Sequence, residues 1–191
     1  MTSVTIFGSG NMGSAIDEVL TAGGATVDHI GSADPPSPVN GDLVIFAVYH
    51  TAFRDIVDKY GDKLAGKIVV DIANPLDPET FDALVPAPHS SSAADLAAAL
   101  PSSRVLKAFN TNLAPTLRAK QVGPNKTTVL VAGDDADAKA ALISAVQAGS
   151  LDALDVGPLA RARELEALGF LQIKLAVTEQ IGWTGGFSVV R

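Results

Sequence analysis

The sequence predicts an α/β chain of the Rossmann type, a doubly wound parallel sheet with a short C-terminal helical part. Three observations carry that prediction. Gly8-Ser9-Gly10-Asn11-Met12-Gly13 stands at the front of the chain, and Val4-Thr5-Ile6-Phe7 ahead of it reads as a buried strand. Behind it, Met12, Ile16, Val19 and Leu20 recur at helical spacing. Finally, strand and helix patterns alternate along the rest of the chain, the pattern of a parallel sheet covered on both faces.

A G-x-G-x-x-G run at a strand-to-helix turn is the setting in which the pattern binds a dinucleotide. Gly8 is expected to make the tight turn, and Gly10 to let the backbone approach a pyrophosphate with no Cβ in the way. Gly13 lets the helix pack closely on the strand. The pyrophosphate then faces unpaired amides and the positive end of the helix dipole.

The elements follow in order. Gly23-Gly24 stops the first helix, and residues 25–30 read as the second strand. Residues 31–41 hold three prolines and no helical pattern, so the crossover that is ordinarily helical is cut down to a loop. Residues 42–48 form an apolar third strand, and Phe53, Ile56, Val57, Tyr60 and Leu64 mark a helix that Gly61 and Gly66 bring to an end. Residues 67–72 are a fourth strand leaving into a proline-fixed turn, Ala73 to Pro78. The segment from Thr80 is irregular until Ser92, which is placed to cap an alanine-rich helix to Leu100. Strands over 104–109, 127–132 and 151–156 follow, with a short helix at 115–119 and a longer one at 136–148. From Pro158 to about Ile181 the pattern is helical, amphipathic at first and then apolar on more than one face. Two parts are expected: 1–157, a dinucleotide-binding domain, and 158–191, a C-terminal helix and tail.

Composition narrows the chemistry. The 191 residues are 47% apolar and 18% charged, with a net charge of -7 and no cysteine. The acidic balance argues against nucleic acid as partner. Lack of cysteine removes disulfides, thiolate catalysis and cysteine-held metals. No apolar run is long enough to span a bilayer, and Met1 leads straight into the first strand without a leader pattern, so a cytoplasmic protein is expected. His50, His89 and Asp55 share no metal-ligand spacing, and Ser90-Ser91-Ser92 lacks the setting of a hydrolase nucleophile. No metal site and no catalytic side chain are assigned.

The cofactor type rests on the end of the second strand. A carboxylate that binds ribose hydroxyls is expected about twenty residues beyond the glycines. Asp28 lies inside the strand, and Asp34 precedes two prolines and reads as a turn residue. Gly31 and the Ser32 hydroxyl are then placed to receive a 2′-phosphate, which favours NADP over NAD. Ala47, Val48 and Tyr49 end the third strand, and Asn74 the fourth, on the carboxyl edge where ligands of such sheets lie. They read as cofactor contacts, or as an ordinary strand-to-helix turn with His50 as cap and an Asn-Pro turn. Asn110 and Thr111 read as acceptor-pocket residues or helix caps. Arg161, Arg163, Glu164 and Glu166 read as a solvated helix face.

Gly8 to Gly13, Gly31-Ser32, Ala47-Val48-Tyr49, Asn74-Pro75-Leu76, Lys107-Ala108-Phe109-Asn110-Thr111 and Asp155-Val156-Gly157-Pro158-Leu159 occur in this order. With them the chain resembles, over nearly its whole length, the NADP-dependent coenzyme F420 oxidoreductase family and its small bacterial dinucleotide-binding members. The resemblance implies an NADP-binding Rossmann domain and a cleft where hydride passes between nicotinamide and F420 or a flavin as co-substrate. Ala47, Val48 and Ala108, with Trp183 of the tail, would line that cleft. Family members pair through the C-terminal part, so a homodimer is expected, with Phe170, Ile173, Leu175 and Val177 largely buried, some of them across the interface. Two departures stand out: Ala33 replaces the basic residue that follows the serine, and the second crossover is shortened. The rival expectation is an NADP(H)-binding regulatory module without turnover.

Overall fold

A computed structural model describes residues 2–77, 79–80, 82–87 and 89–191. Met1, the Pro78 end of the expected turn, and Phe81 and Pro88 of the expected irregular segment lie outside the described residues.

Strand β1 (Ser3–Phe7) turns through the glycines into helix α1 (Asn11–Ala22) and returns as β2 (Thr26–Ile30). The loop with three prolines leads to β3 (Leu43–Phe46), a single 3-10 turn at His50–Ala52, α2 (Phe53–Leu64) and β4 (Ile68–Asp71). Next come α3 (Ser92–Ala99), β5 (Arg104–Lys107) and α4 (Ala114–Ala119). A two-stranded hairpin, β6 (Gln121–Val122) and β7 (Asn125–Lys126), precedes β8 (Thr128–Gly133). The chain closes with α5 (Ala136–Ala148), β9 (Asp152–Asp155), a 3-10 turn at Leu159–Arg161 and α6 (Ala162–Val177).

The seven-stranded sheet has the order β2-β1-β3-β4-β5-β8-β9. This is the Rossmann-type sheet expected from the sequence, with one addition: β8 pairs antiparallel with β5, and β9 follows β8 in parallel. The connection from β5 runs through α4 and the hairpin, and β8 then enters beside β5 in the opposite direction. The hairpin itself has too few residues to show an alternating pattern.

Strand alternation divides the core between two faces. Val4, Ile6, Ile45, Val70 and Leu106 point to the side covered by α1, α4 and α5, where Ile16, Leu20, Leu117 and Leu142 complete one cluster. Phe7, Val44, Phe46, Val69 and Val105 point to the other side, beneath α2, α3 and the start of α6. There Phe7, Phe46, Phe53 and Tyr60 pack edge to face or tilted, with ring centroids 5.0–5.3 Å apart. Among the described residues no helix is long and apolar enough to cross a membrane.

Three local expectations are corrected. Gly61 lies inside α2, because a glycine away from a turn costs a helix only about 1 kcal/mol; Gly66, with φ of 77°, follows the helix end. The cap of α3 is Ser91, whose hydroxyl accepts from the Ala94 amide at 3.0 Å, while Ser92 is buried in the first turn. Helix α6 ends at Val177, with Thr178 as its C-terminal cap, earlier than Ile181.

Candidate functional site

The order β2-β1-β3 makes the gap between β1 and β3 the point where successive connections leave in opposite directions, the place where open α/β sheets bind ligands. The loop after β1 meets the loop after β3 there. A Cβ on Gly8 would lie 2.4 Å from the Ala47 carbonyl oxygen, and Gly8 has φ of 100°, so no other residue fits without displacing β3. A Cβ on Gly13 would lie 2.7 Å from the Gly8 carbonyl oxygen. Gly10 differs: its φ is -72°, and a Cβ built on it meets nothing within 4 Å. No side chain caps α1 and no acidic residue stands in its first turn, so its leading amides face outward beside exposed Ser9, Gly10 and Asn11. Met12 is half-buried against the core. His29 fastens the turn from β2, with Nδ1 3.0 Å from the Gly8 carbonyl and Nε2 3.0 Å from Asp17.

Gly31 and Ser32 stand at the end of β2, and Ser32 is exposed. Asp34, expected as a plain turn residue, folds back on that end: its Oδ2 accepts from the Gly31 amide at 2.6 Å. Ala47 and Val48 are half-buried beside Gly8, while Tyr49 is 84% exposed. His50 does not cap α2 through its side chain. Burial pushes its imidazole below the ordinary range; Asp71 opposes that shift and Lys107 adds to it.

Asn74 and Asn110 are clasped to each other at the ends of β4 and β5. Asn74 Nδ2 donates to the Asn110 carbonyl at 2.7 Å, and Asn110 Nδ2 donates to Asn74 Oδ1 at 2.9 Å and to the Leu165 carbonyl at 2.8 Å. Helix α6 crosses directly over them at Gly169, where a Cβ would lie 2.4 Å from Asn74 Oδ1. Phe109 is bent into φ of 62° with a hydrogen bond from the Asn110 amide to the Ala108 carbonyl, a strained turn that costs about 1–3 kcal/mol. It sends the Phe109 ring into the core and turns Asn110 toward α6. Neither Asn110 nor Thr111 caps α4, whose cap position is Leu113; the Thr111 carbonyl instead accepts from Gln172 Nε2 at 3.1 Å. Ala108 is a correction: it is completely buried in the core and offers no surface to a cofactor.

A buried ionic cluster lies beneath this edge. The register pairs Asp71 with Lys107, the last residues of β4 and β5, and both point toward α3 and α6. Lys107 Nζ donates to Asp71 Oδ2 at 2.9 Å, the Ala73 carbonyl at 2.6 Å, Ser92 Oγ at 3.0 Å and Glu166 Oε1 at 2.8 Å. The Ser92 hydroxyl lies between Asp71 Oδ2 and Glu166 Oε1 and has one proton for the two. Burial raises the Glu166 carboxyl above the ordinary range, against the pull of Lys107. Glu166 is therefore not part of a solvated face, as expected from the sequence; exposed Arg161 and Glu164 form that face, paired at 2.9 Å. The signal for the cluster was present, since a charged residue ends each of two apolar strands. Only the packing of α6 shows that Glu166 joins them.

Beyond Gly169 the second half of α6 reaches past the carboxyl edge. Phe170, Ile173 and Leu175 are half-buried, whereas Leu171 and Val177 are 51% and 61% exposed. The tail returns along the outside. The Phe187 amide donates to Gln172 Oε1 at 2.9 Å, Asn125 bonds Ser188 at 3.0 Å, and Arg191 reaches Asp152 at 3.5 Å. Trp183 is 52% exposed. Two shallow depressions of about 170 and 180 Å³ lie away from this edge, against Thr2, Leu20 and Ala145 and against Ser3, Asp42 and Ile68, and are small for a dinucleotide.

Comparison with known proteins gives the family and the fold. The chain is 30% identical over 172 residues to the F420-dependent NADP reductase of Methanocaldococcus jannaschii, covering 88% of this chain and 77% of that one. The chain belongs to the F420-dependent NADP reductase family. Within solved structures, an Arthrobacter sp. FB24 protein proposed to be a reductase of this family superposes with a TM-score of 0.86 at 24% identity, with complete coverage of both chains. That likeness shows the fold. Metalloreductase STEAP3 of Rattus norvegicus is 33% identical over 182 residues, 86% of this chain but only 36% of that protein, so this chain spans about a third of its length. No model of a protein family matches the chain.

Proposed function

We propose that this protein is an NAD(P)H-dependent oxidoreductase that exchanges a hydride between the nicotinamide and an F420-like small-molecule acceptor. One observation carries the dinucleotide site: in the loop Gly8–Gly13, the protein's own packing requires Gly8 and Gly13 but not Gly10. Neither backbone conformation nor space calls for glycine at position 10, and an approaching pyrophosphate supplies the reason.

In this reading Ser9, Gly10, Asn11, Met12 and Gly13 present backbone amides to the pyrophosphate, and Gly31 and Ser32 receive the adenosine ribose. Ala47, Val48 and Tyr49 lead toward the nicotinamide. Asn74, engaged with Asn110, fixes the distance between the sheet edge and α6 rather than reaching freely into the cleft. The bound nicotinamide supplies the hydride, and the chain's residues align two rings and exclude water, with no side-chain nucleophile. Residues 158–191 form the acceptor side, and the exposed apolar residues Leu171 and Val177 meet a second copy of the chain.

Anaerobic oxidation of NADPH and NADH against F420, FMN and FAD tests the reading. Turnover with F420 and its loss in Gly10→Val are expected. Tight cofactor binding without turnover on any acceptor would mark the chain as a regulatory module, and no binding would remove the site.

A further inference from the structure

We infer that Asp34 sets the choice of dinucleotide and turns this chain toward NADH, against the preference that its family's name implies. The inference rests on the dinucleotide reading above. Asp34 lies 21 positions past Gly13, beyond the end of β2, but it does not stay in the loop. Its carboxylate folds back so that Oδ2 accepts from the Gly31 amide at 2.6 Å, and its own amide donates to the Gly31 carbonyl at 3.3 Å. The turn therefore delivers a carboxylate to the strand end from the loop side, in the place where a strand-borne acid binds the adenosine ribose hydroxyls.

The other oxygen, Oδ1, has no hydrogen-bond partner among the described residues, and Asp34 is exposed. It is free to accept from a ribose 2′-hydroxyl. A 2′-phosphate brought to the same position would meet a fixed negative charge. Among the described residues no cation pairs with the carboxylate itself: Lys59 reaches the Asp34 backbone carbonyl at 3.5 Å, and Lys63 the Ser37 carbonyl at 3.3 Å. Among the described residues neither forms an ion pair with Asp34, and residues 31–34 include no basic side chain. The Gly31 amide, which would otherwise serve a phosphate oxygen, is already taken by Asp34.

The test is calorimetric titration of the full chain with NADH and with NADPH, for wild type, Asp34→Asn and Ala33→Arg. Asparagine keeps an oxygen for the Gly31 amide and removes the charge, so the turn persists; an unchanged melting temperature checks this. Wild type is expected to bind NADH more tightly than NADPH. Asp34→Asn should strengthen NADPH about tenfold, equivalent to about 1.4 kcal/mol, while weakening NADH. Ala33→Arg should strengthen NADPH alone. Tighter NADPH binding in wild type, or no change in the ratio for Asp34→Asn, overturns the role of Asp34 while leaving the dinucleotide site standing. Failure of both nucleotides to bind overturns the site and the inference together.

Discussion

Replacing Lys107 by methionine isolates the charge on which the junction of sheet and α6 depends. The side chain is completely buried, and methionine matches its length, so little packing is lost. What is lost is the ammonium shared by Asp71, the Ala73 carbonyl, Ser92 and Glu166. Two carboxylates then face each other in the interior without a cation. Breaking a buried pair in this way costs about 3–5 kcal/mol. For a chain of this size, each kcal/mol lowers the melting temperature by about 2–4 °C, which gives a fall of about 6–20 °C. The loss should also depend on pH. Burial already raises the Glu166 carboxyl in the folded chain, and removing Lys107 removes the charge that opposes that shift, so the folded state binds more protons. Stability then falls as pH rises from the ordinary carboxyl range through the raised Glu166 value. Glu166→Gln, introduced together with Lys107→Met, should recover part of the loss and flatten that slope. Urea unfolding followed by circular dichroism measures both effects; fluorescence is a poor probe, because the one tryptophan, Trp183, is half-exposed in the tail. A cost below about 1 kcal/mol, or one independent of pH, would show that the cluster does not hold α6 in place.

Gly10→Val should leave the melting temperature within about 2 °C of wild type, since a residue near 0.5 kcal/mol is all an open surface site contributes, and should abolish NADPH binding in calorimetry. Gly8→Ala is the opposite case: the left-handed backbone alone costs about 1–2 kcal/mol, and contact with the Ala47 carbonyl adds to it, so thermal stability should drop measurably. His50 should stay neutral at a pH where a free imidazole is charged. The unfolded chain then takes up the proton first, and stability declines as pH falls through the ordinary imidazole range toward the lowered value; ring-proton NMR reads the titration, and His50→Gln should flatten the decline. Val177→Asp should shift sedimentation from dimer to monomer with the melting curve of the single chain retained, because Val177 is exposed within one chain. A monomeric wild type at micromolar concentration would remove the second copy.

Local pattern fixed most of the architecture. The Gly8–Gly13 turn, the apolar strands and the proline-rich replacement of a crossover helix act over a few residues, so spacing and residue type were enough to place them. The glycine loop was legible for the same reason: its requirements are backbone geometry and closeness of approach, and both are written in residue size. What spacing cannot convey is which distant segments share a volume. Asp71 and Lys107 each read as the charged end of a strand, yet the register that sets them side by side, and the crossing of α6 that adds Glu166, come from packing across 59 residues between Lys107 and Glu166. A charged residue on an amphipathic helix is expected in water, and only tertiary contact shows which one is enclosed. Ala108 was misplaced similarly, since a small apolar residue at a strand end suits a cleft or a core equally well. Asp34 was assigned to a turn, and it does turn; the direction of its carboxylate is set by a hydrogen bond to Gly31 that no periodicity records. The antiparallel entry of β8 follows a hairpin too short to carry a pattern. Local chemistry thus determined where the chain bends and where the glycine turn meets the carboxyl edge of the sheet. Tertiary structure decided which charges are buried, how α6 is fastened, and that the Asp34 carboxylate folds back on the end of β2.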